Sequence, residues 1–120
     1  MSNSVRGEVS ITLGGSQFKL VPAYEAIVQL EERTGQGSIA LARKIFASNF
    51  TLKELTVIVT SGLKAAGEPA TEDKVGPMLL DEGLLNPELH SSVCKFFDNI
   101  LTGGKTDKTE GNEEAAKSLI

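Results

Sequence analysis

The chain is poor in the residues from which disulfides, metal sites and many active sites are built. Its 120 residues include no Trp, one Tyr, one His and one Cys. A single cysteine cannot form a disulfide within the chain, and one cysteine with one histidine cannot by themselves make a structural zinc site. The fold therefore depends on neither, and this cysteine usage fits a reducing cytoplasm.

Basic clusters and long apolar runs are also scarce. The formal net charge is -4, the pI is near 5.0, and the longest basic cluster is Arg43-Lys44. Binding to a nucleic-acid backbone requires clustered Lys and Arg, so this balance argues against nucleic acid as a partner. No stretch approaches the roughly 20 apolar residues of a membrane span, and the N-terminal residues lack the apolar core of a signal peptide. We expect a soluble protein with no nucleic-acid or membrane partner.

The chain does contain enough aliphatic sequence for one small hydrophobic core. Hydrophobic residues make up 40% of the sequence, and a chain of this length suffices for one domain but not comfortably for two. Near the N-terminus, apolar residues alternate with polar ones on both sides of Gly14-Gly15, a pattern typical of a β-hairpin. We predict a two-stranded antiparallel hairpin over residues 8–21.

Beyond the hairpin, apolar residues recur at helical spacing as far as about residue 102. One helix start is marked by Thr51 and Glu54, which match the reciprocal capping box. A segment that follows Thr71 contains Gly76-Pro77, which predicts a kink or a late start there. Outside that segment, the predicted helices cover residues 23–34, 38–48, 52–66 and 87–102, and the Thr51 start belongs to the third of them.

The second predicted helix, residues 38–48, illustrates how these helices are expected to share a core. Its apolar residues are spaced to form one buried stripe, made of Ile39, Ala42, Ile45 and Phe46. The predicted fold class is α+β, with an N-terminal two-stranded antiparallel hairpin followed by four to five helices in a small bundle. We expect one domain over residues 6–102, with flexible segments at 1–5 and 103–120.

The segment "LEERTG", residues 30–35, places two carboxylates and a guanidinium beside a glycine. Glu31 and Glu32 are adjacent on a predicted helix, so their side chains diverge by about 100° and cannot readily flank one substrate atom. Two interpretations remain for Glu31, Glu32 and Arg33. They form either a solvated helix end or a polar contact edge for another protein.

Two other features have simple structural interpretations. His90 and Cys94 lie four residues apart, but a working catalytic or metal site would need further groups, so we expect Cys94 to be a packing residue. Residues 104–106, "GKT", match the end of a phosphate-binding loop, but the first glycine of that motif is missing. We predict no catalytic residue, no metal site and no cofactor.

Several stretches resemble a known family: "RGEV", the "LGG" of the hairpin, "LVPAYEAIVQLEERTG" and "LKAAGEPATED". They are similar in type and spacing to the small tail protein of bacterial gene transfer agents and related long-tailed phages. The resemblance extends over about residues 6 to 102. Its most specific parts are "YEAIVQLEERTG" and "GLKAAGEPATEDKVG".

In that family the protein is encoded between the major tail protein and the tape measure protein. It is regarded as a tail assembly chaperone, although it has also been labelled a tail tube protein. The resemblance implies a non-enzymatic protein that binds the tape measure protein and the major tail (tube) protein in the cytoplasm of the bacterial host. An alternative is a structural component of the mature tail, as tube or adaptor. A distant alternative is a small regulatory interaction domain, which would need a basic recognition helix that is not visible.

Such a binding protein needs apolar contact surface with a polar rim. The candidate polar residues are Glu31, Glu32 and Arg33, and the candidate apolar ridge consists of Ile39, Ala42 and Phe46. The edge of the hairpin is a further candidate for self-association, because a two-stranded sheet is marginal unless it leans on helices or pairs with another strand.

Overall fold

A computed structural model describes residues 7–104, and within that range a two-stranded antiparallel sheet precedes five helices. The predicted α+β architecture is confirmed. The elements are β1 (Val9–Leu13), β2 (Ser16–Leu20), α1 (Tyr24–Thr34), α2 (Ser38–Phe46), α3 (Leu52–Ala65), α4 (Glu72–Glu82) and α5 (Pro87–Thr102). The flexible segment predicted at 1–5 lies outside the described residues, as does nearly all of the segment predicted at 103–120. None of the helices within the described range is long and apolar enough to cross a membrane.

The hairpin forms where the alternation predicts it, around a two-residue turn. Gly14 and Gly15 have φ angles of 61° and 82°, and two positive φ angles in succession define the turn whose twist matches paired strands. Ile11 lies opposite Phe18 across the pair. The inward side chains of β1 are all buried: Val9, Ile11 and Leu13. The hairpin leans on helices, since β1 packs against α5 and β2 packs against α3.

Helix α3 is the central element, because it packs against α1, α4 and β2. The predicted capping box starts it. Thr51 Oγ1 accepts a hydrogen bond from the Glu54 N–H at 3.0 Å, and Glu54 Oε1 accepts one from the Thr51 N–H at 2.9 Å. Gly62 allows close approach of β2, since a Cβ there would lie 3.0 Å from Leu20 Cβ. The chain after β2 is held by the Val21 N–H, which donates to the Gly62 carbonyl at 3.1 Å.

Helix α5 closes the core from the other side, against β1 and α2. Asn86 caps its start by accepting hydrogen bonds from the first-turn N–H groups. Phe96 and Phe97 are fully buried and meet edge to face, with ring centroids 5.8 Å apart. Near its end, Asn99 Nδ2 donates to the Gly7 carbonyl at 2.9 Å and so fixes the chain just before β1.

Helix α4 decides between two alternatives of the sequence prediction, a kink or a late start. It begins at Glu72, directly after Thr71, and continues through Pro77, so the late start is wrong and the kink stays a prediction. The proline ring removes the N–H that would reach the carbonyl four residues earlier, which normally disfavours a helix interior. The helix persists because Val75 and Leu79 bury its inner face against the core. Tertiary packing therefore outweighs the local preference.

Candidate partner-binding surface

The end of α1 and the start of α2 are joined through Glu31. Its Oε2 atom accepts hydrogen bonds from the Ser38 hydroxyl at 2.7 Å and from the Ser38 N–H at 2.8 Å. These two bonds lower the pKa of the Glu31 carboxyl, the hydroxyl donor contributing most. The Ser38 N–H lies at the first position of α2, where it has no intrahelical partner, so Glu31 serves as a helix cap supplied by the preceding helix.

The other two polar candidates have different surroundings. Arg33 makes a two-pronged ion pair with Glu72, in which Nε and Nη2 each lie 2.8 Å from a carboxylate oxygen. The pair joins the end of α1 to the start of α4. Because it is exposed, it contributes about 1 kcal/mol or less to the stability of the fold. Glu32 is exposed, and its side chain makes no hydrogen bond or ion pair within the described part of the chain. Of the three residues, only Glu32 is fully available to a partner, and the contact-edge role stays a prediction.

A polar cluster centred on Glu54 lies beneath this junction. Glu54 Oε2 accepts hydrogen bonds from Gln36 Nε2 and from Lys44 Nζ, both at 2.7 Å. Burial raises the pKa of the Glu54 carboxyl, but the hydrogen bonds from Lys44, Gln36 and the Thr51 N–H outweigh it and bring the pKa to about 2. The sequence indicated the capping role of Glu54 but not these long-range partners, which link α2 and the α1–α2 loop to α3.

The apolar ridge predicted on α2 is only partly on the surface. Ile39 and Phe46 are exposed, at 59% and 45%, so the prediction that both belong to a buried stripe is wrong. Ala42 is 1% exposed and lies in the core, so it cannot touch a partner while this fold is intact. The buried face of α2 is formed instead by Leu41, Ala42 and Ile45, because that side packs against α5.

The exposed side of α2 forms a continuous face. On a helix, residues spaced by three, four and seven positions share one side. Five exposed residues of α2 and its C-cap follow that spacing, and we call them the α2 outer face: Ile39, Ala40, Arg43, Phe46 and Ala47. Four of the five are apolar. Arg43 is their single charge, and it makes no ion pair within residues 7–104.

His90 and Cys94 lie where α5 meets the end of α2. His90 Nε2 donates to the Ile45 carbonyl at 2.7 Å, while Cys94 Sγ lies 3.8 Å from His90 Nδ1. Burial raises the pKa of the Cys94 thiol, which disfavours the nucleophilic thiolate. Among the residues that the structure describes, no group of three or more His, Cys, Asp or Glu side chains is arranged to hold a metal ion. The contacts fit a packing role, with His90 fastening α5 to α2.

The hairpin presents one open edge. Because Leu13 and Ser16 flank a two-residue turn, the backbone N–H and C=O groups of Gln17 and Lys19 point away from β1. No hydrogen bond formed between residues 7 and 104 occupies these groups. This edge can accept another strand, although the charged Lys19 side chain is a feature that discourages unspecific pairing. Self-association through it stays a prediction.

Comparison with protein families confirms the resemblance to a tail protein. Residues 6–94 match the family described as phage tail tube protein, GTA-gp10. The match covers more than half of the chain and includes the α1–α2 junction and the whole α2 outer face. No curated protein and no solved structure matches the chain. The chain belongs to the phage tail tube protein family of the GTA-gp10 type.

Proposed function

We propose that this tail protein acts during tail assembly as a non-enzymatic chaperone that binds the tape measure protein and the major tail (tube) protein in the host cytoplasm. The observation that carries the proposal is the α2 outer face, where four of five neighbouring exposed residues are apolar. No other element within residues 7–104 covers this face, although the chain has its own well-formed core.

The physical argument concerns the needs of a long helical client. A tape measure protein exposes apolar helical stripes until a tube encloses it, and exposed stripes of this kind promote aggregation. A helix with a shallow apolar face can cover such a stripe by side-to-side helix packing. The net charge of -4 on the chaperone would meanwhile keep the complex soluble.

Co-expression with the tape measure protein tests the proposal. The tagged chain is purified, and the amount of tape measure protein captured is compared for wild type, Ile39→Asp and Leu80→Asp. The two substitutions are matched, since Ile39 and Leu80 are aliphatic helical residues with 59% and 55% exposure, but only Ile39 lies on the α2 outer face.

We expect wild type and Leu80→Asp to capture the tape measure protein equally, and Ile39→Asp to capture at least about tenfold less, because a buried unpaired carboxylate is costly. Equal melting temperatures of the two variants would serve as the folding control. Failure of the wild-type chain to retain any tape measure protein would overturn the chaperone proposal.

The second candidate function is a permanent structural role in the tail, and the family description as a tail tube protein favours it. In that role the α2 outer face and the open edge of β2 would contact neighbouring tail subunits. The two functions differ in where the protein ends up. A chaperone leaves before the tail is complete, whereas a tube or adaptor subunit is retained at a fixed copy number.

A further inference from the structure

Arg43 occupies the middle of the α2 outer face. It lies four residues after Ile39 and three before Phe46, so the two large apolar side chains flank it on the same side of the helix. Its basic neighbour Lys44 is turned to Glu54, and Arg33 is paired with Glu72. Arg43, by contrast, has no acidic partner in the described part of the chain.

Covering this face would take the Arg43 guanidinium out of water. Burial of an unpaired charge is strongly unfavourable, whereas a carboxylate that meets the guanidinium through two hydrogen bonds offsets much of that cost. A helix suited to this face therefore needs apolar residues opposite Ile39 and Phe46 and an acidic residue opposite Arg43. The charge sets both the register and the orientation of the bound helix.

A second copy of this chain does not meet that requirement. A two-fold symmetric contact brings the same patch of both copies together, so the centre of the patch meets itself. On the α2 outer face that centre is Arg43, and two guanidinium groups would face each other. The arrangement favours a different, acidic helix over self-association through α2.

We propose that the α2 outer face binds an amphipathic helix of another tail protein, with an Asp or Glu in the middle of its apolar stripe paired to Arg43. This inference rests on the proposed chaperone function and specifies the chemistry of the client segment. Arg43 selects, within a long helical client, the segments whose apolar stripe is interrupted by one carboxylate.

Binding of soluble fragments that together span the tape measure protein provides the test. Affinities are measured for the wild-type chain, Arg43→Glu, Arg43→Gln and the matched control Lys53→Glu. Lys53 is exposed on the first turn of α3 and does not belong to the α2 outer face, and its reversal changes the net charge equally. In the fragment that binds best, each Asp and Glu is then replaced by Lys and tested against Arg43→Glu.

We expect Arg43→Glu to bind the fragment about 10- to 100-fold more weakly, Arg43→Gln to be intermediate, and Lys53→Glu to bind like wild type. One acidic-to-Lys replacement in the fragment should restore binding to Arg43→Glu. Melting temperatures equal to that of wild type would show that the variants are folded.

Equal binding by wild type and Arg43→Glu, or the absence of any restoring replacement, would overturn the pairing while leaving the chaperone function standing. A wild-type chain that binds no fragment would overturn both. If Arg43→Glu instead converts a wild-type dimer to a monomer, the face contacts a second copy of the chain and the proposal is wrong.

Discussion

Replacement of Glu54 by Gln removes one charge from the cluster that joins three parts of the molecule. Glu54 caps α3, accepts a hydrogen bond from Gln36 in the α1–α2 loop and pairs with Lys44 of α2. The residue is only 7% exposed, so solvent screens these contacts weakly. Glutamine keeps the shape and can still cap the helix, which isolates the contribution of the charge.

The size of the effect follows from the pKa of Glu54, which lies at about 2 in the folded protein instead of the ordinary 4.5. Since each unit corresponds to about 1.4 kcal/mol, the ionised carboxylate stabilises the fold by about 3 kcal/mol. The pKa is lowered on folding, so this stabilisation is fully present above about pH 4.5 and is lost as the pH falls towards 2. We expect Glu54→Gln to lower the free energy of unfolding by about 2 to 3 kcal/mol near pH 7 and by less than half as much near pH 3.

Urea unfolding of wild type and Glu54→Gln at both pH values measures this difference. Glu25→Gln is a suitable control, because Glu25 is an exposed carboxylate without a side-chain partner in the described part of the chain. It should change stability by less than about 1 kcal/mol at either pH, the most that an exposed carboxylate in the first turn of a helix usually contributes. A loss of stability in Glu54→Gln that is the same at both pH values, or no loss near pH 7, would refute the reasoning from the charge cluster.

Two pairs of substitutions and one single substitution test other contacts of the fold. Gly62→Ala should destabilise the fold by about 1 to 3 kcal/mol, because the new Cβ would crowd β2. Gly76→Ala should stabilise the fold by up to about 1 kcal/mol, because the nearest atom to its new Cβ lies 3.5 Å away and alanine favours a helix. Shifts of the melting temperature in the same direction for both variants would contradict this. Glu31→Lys should lower the melting temperature, because it removes the cap of α2. Glu32→Lys should leave the melting temperature unchanged. If the end of α1 is a contact edge, Glu32→Lys should also slow association with the tape measure protein. Cys94→Ser should lower the free energy of unfolding by about 1 kcal/mol without changing tape measure capture, and lost capture by the folded variant would show that the thiol has another role.

The parts of the fold that the sequence predicted are those determined by local chemistry. Two successive glycines within alternating strands specify a tight hairpin turn, and Gly14 and Gly15 adopt the required positive φ angles. The side chains of Thr51 and Glu54 each accept a hydrogen bond from the other residue's backbone N–H. Because the two residues are always three positions apart in this motif, the sequence alone predicts the helix start. In each case the partners lie close together in the chain.

The candidate surface could not be predicted in the same way, because α2 carries apolar residues on both of its sides. Ile39 and Phe46 match a helical stripe as well as Leu41 and Ile45 do, and periodicity does not say which stripe meets the core. That choice is made by packing against α5, which follows about forty residues later. The partners of Glu54 were missed for the same reason, since they depend on how separate helices meet.

The most direct test of the central claim is the copy number of this protein in purified mature particles, compared with its copy number in the assembling cell extract. Quantitative mass spectrometry against the major tail protein provides both values. The chaperone account predicts that the protein is bound to the tape measure protein in the extract and is depleted from mature particles. A constant ratio to the major tail protein in particles, with no tape measure complex in the extract, would contradict it and establish the structural role instead.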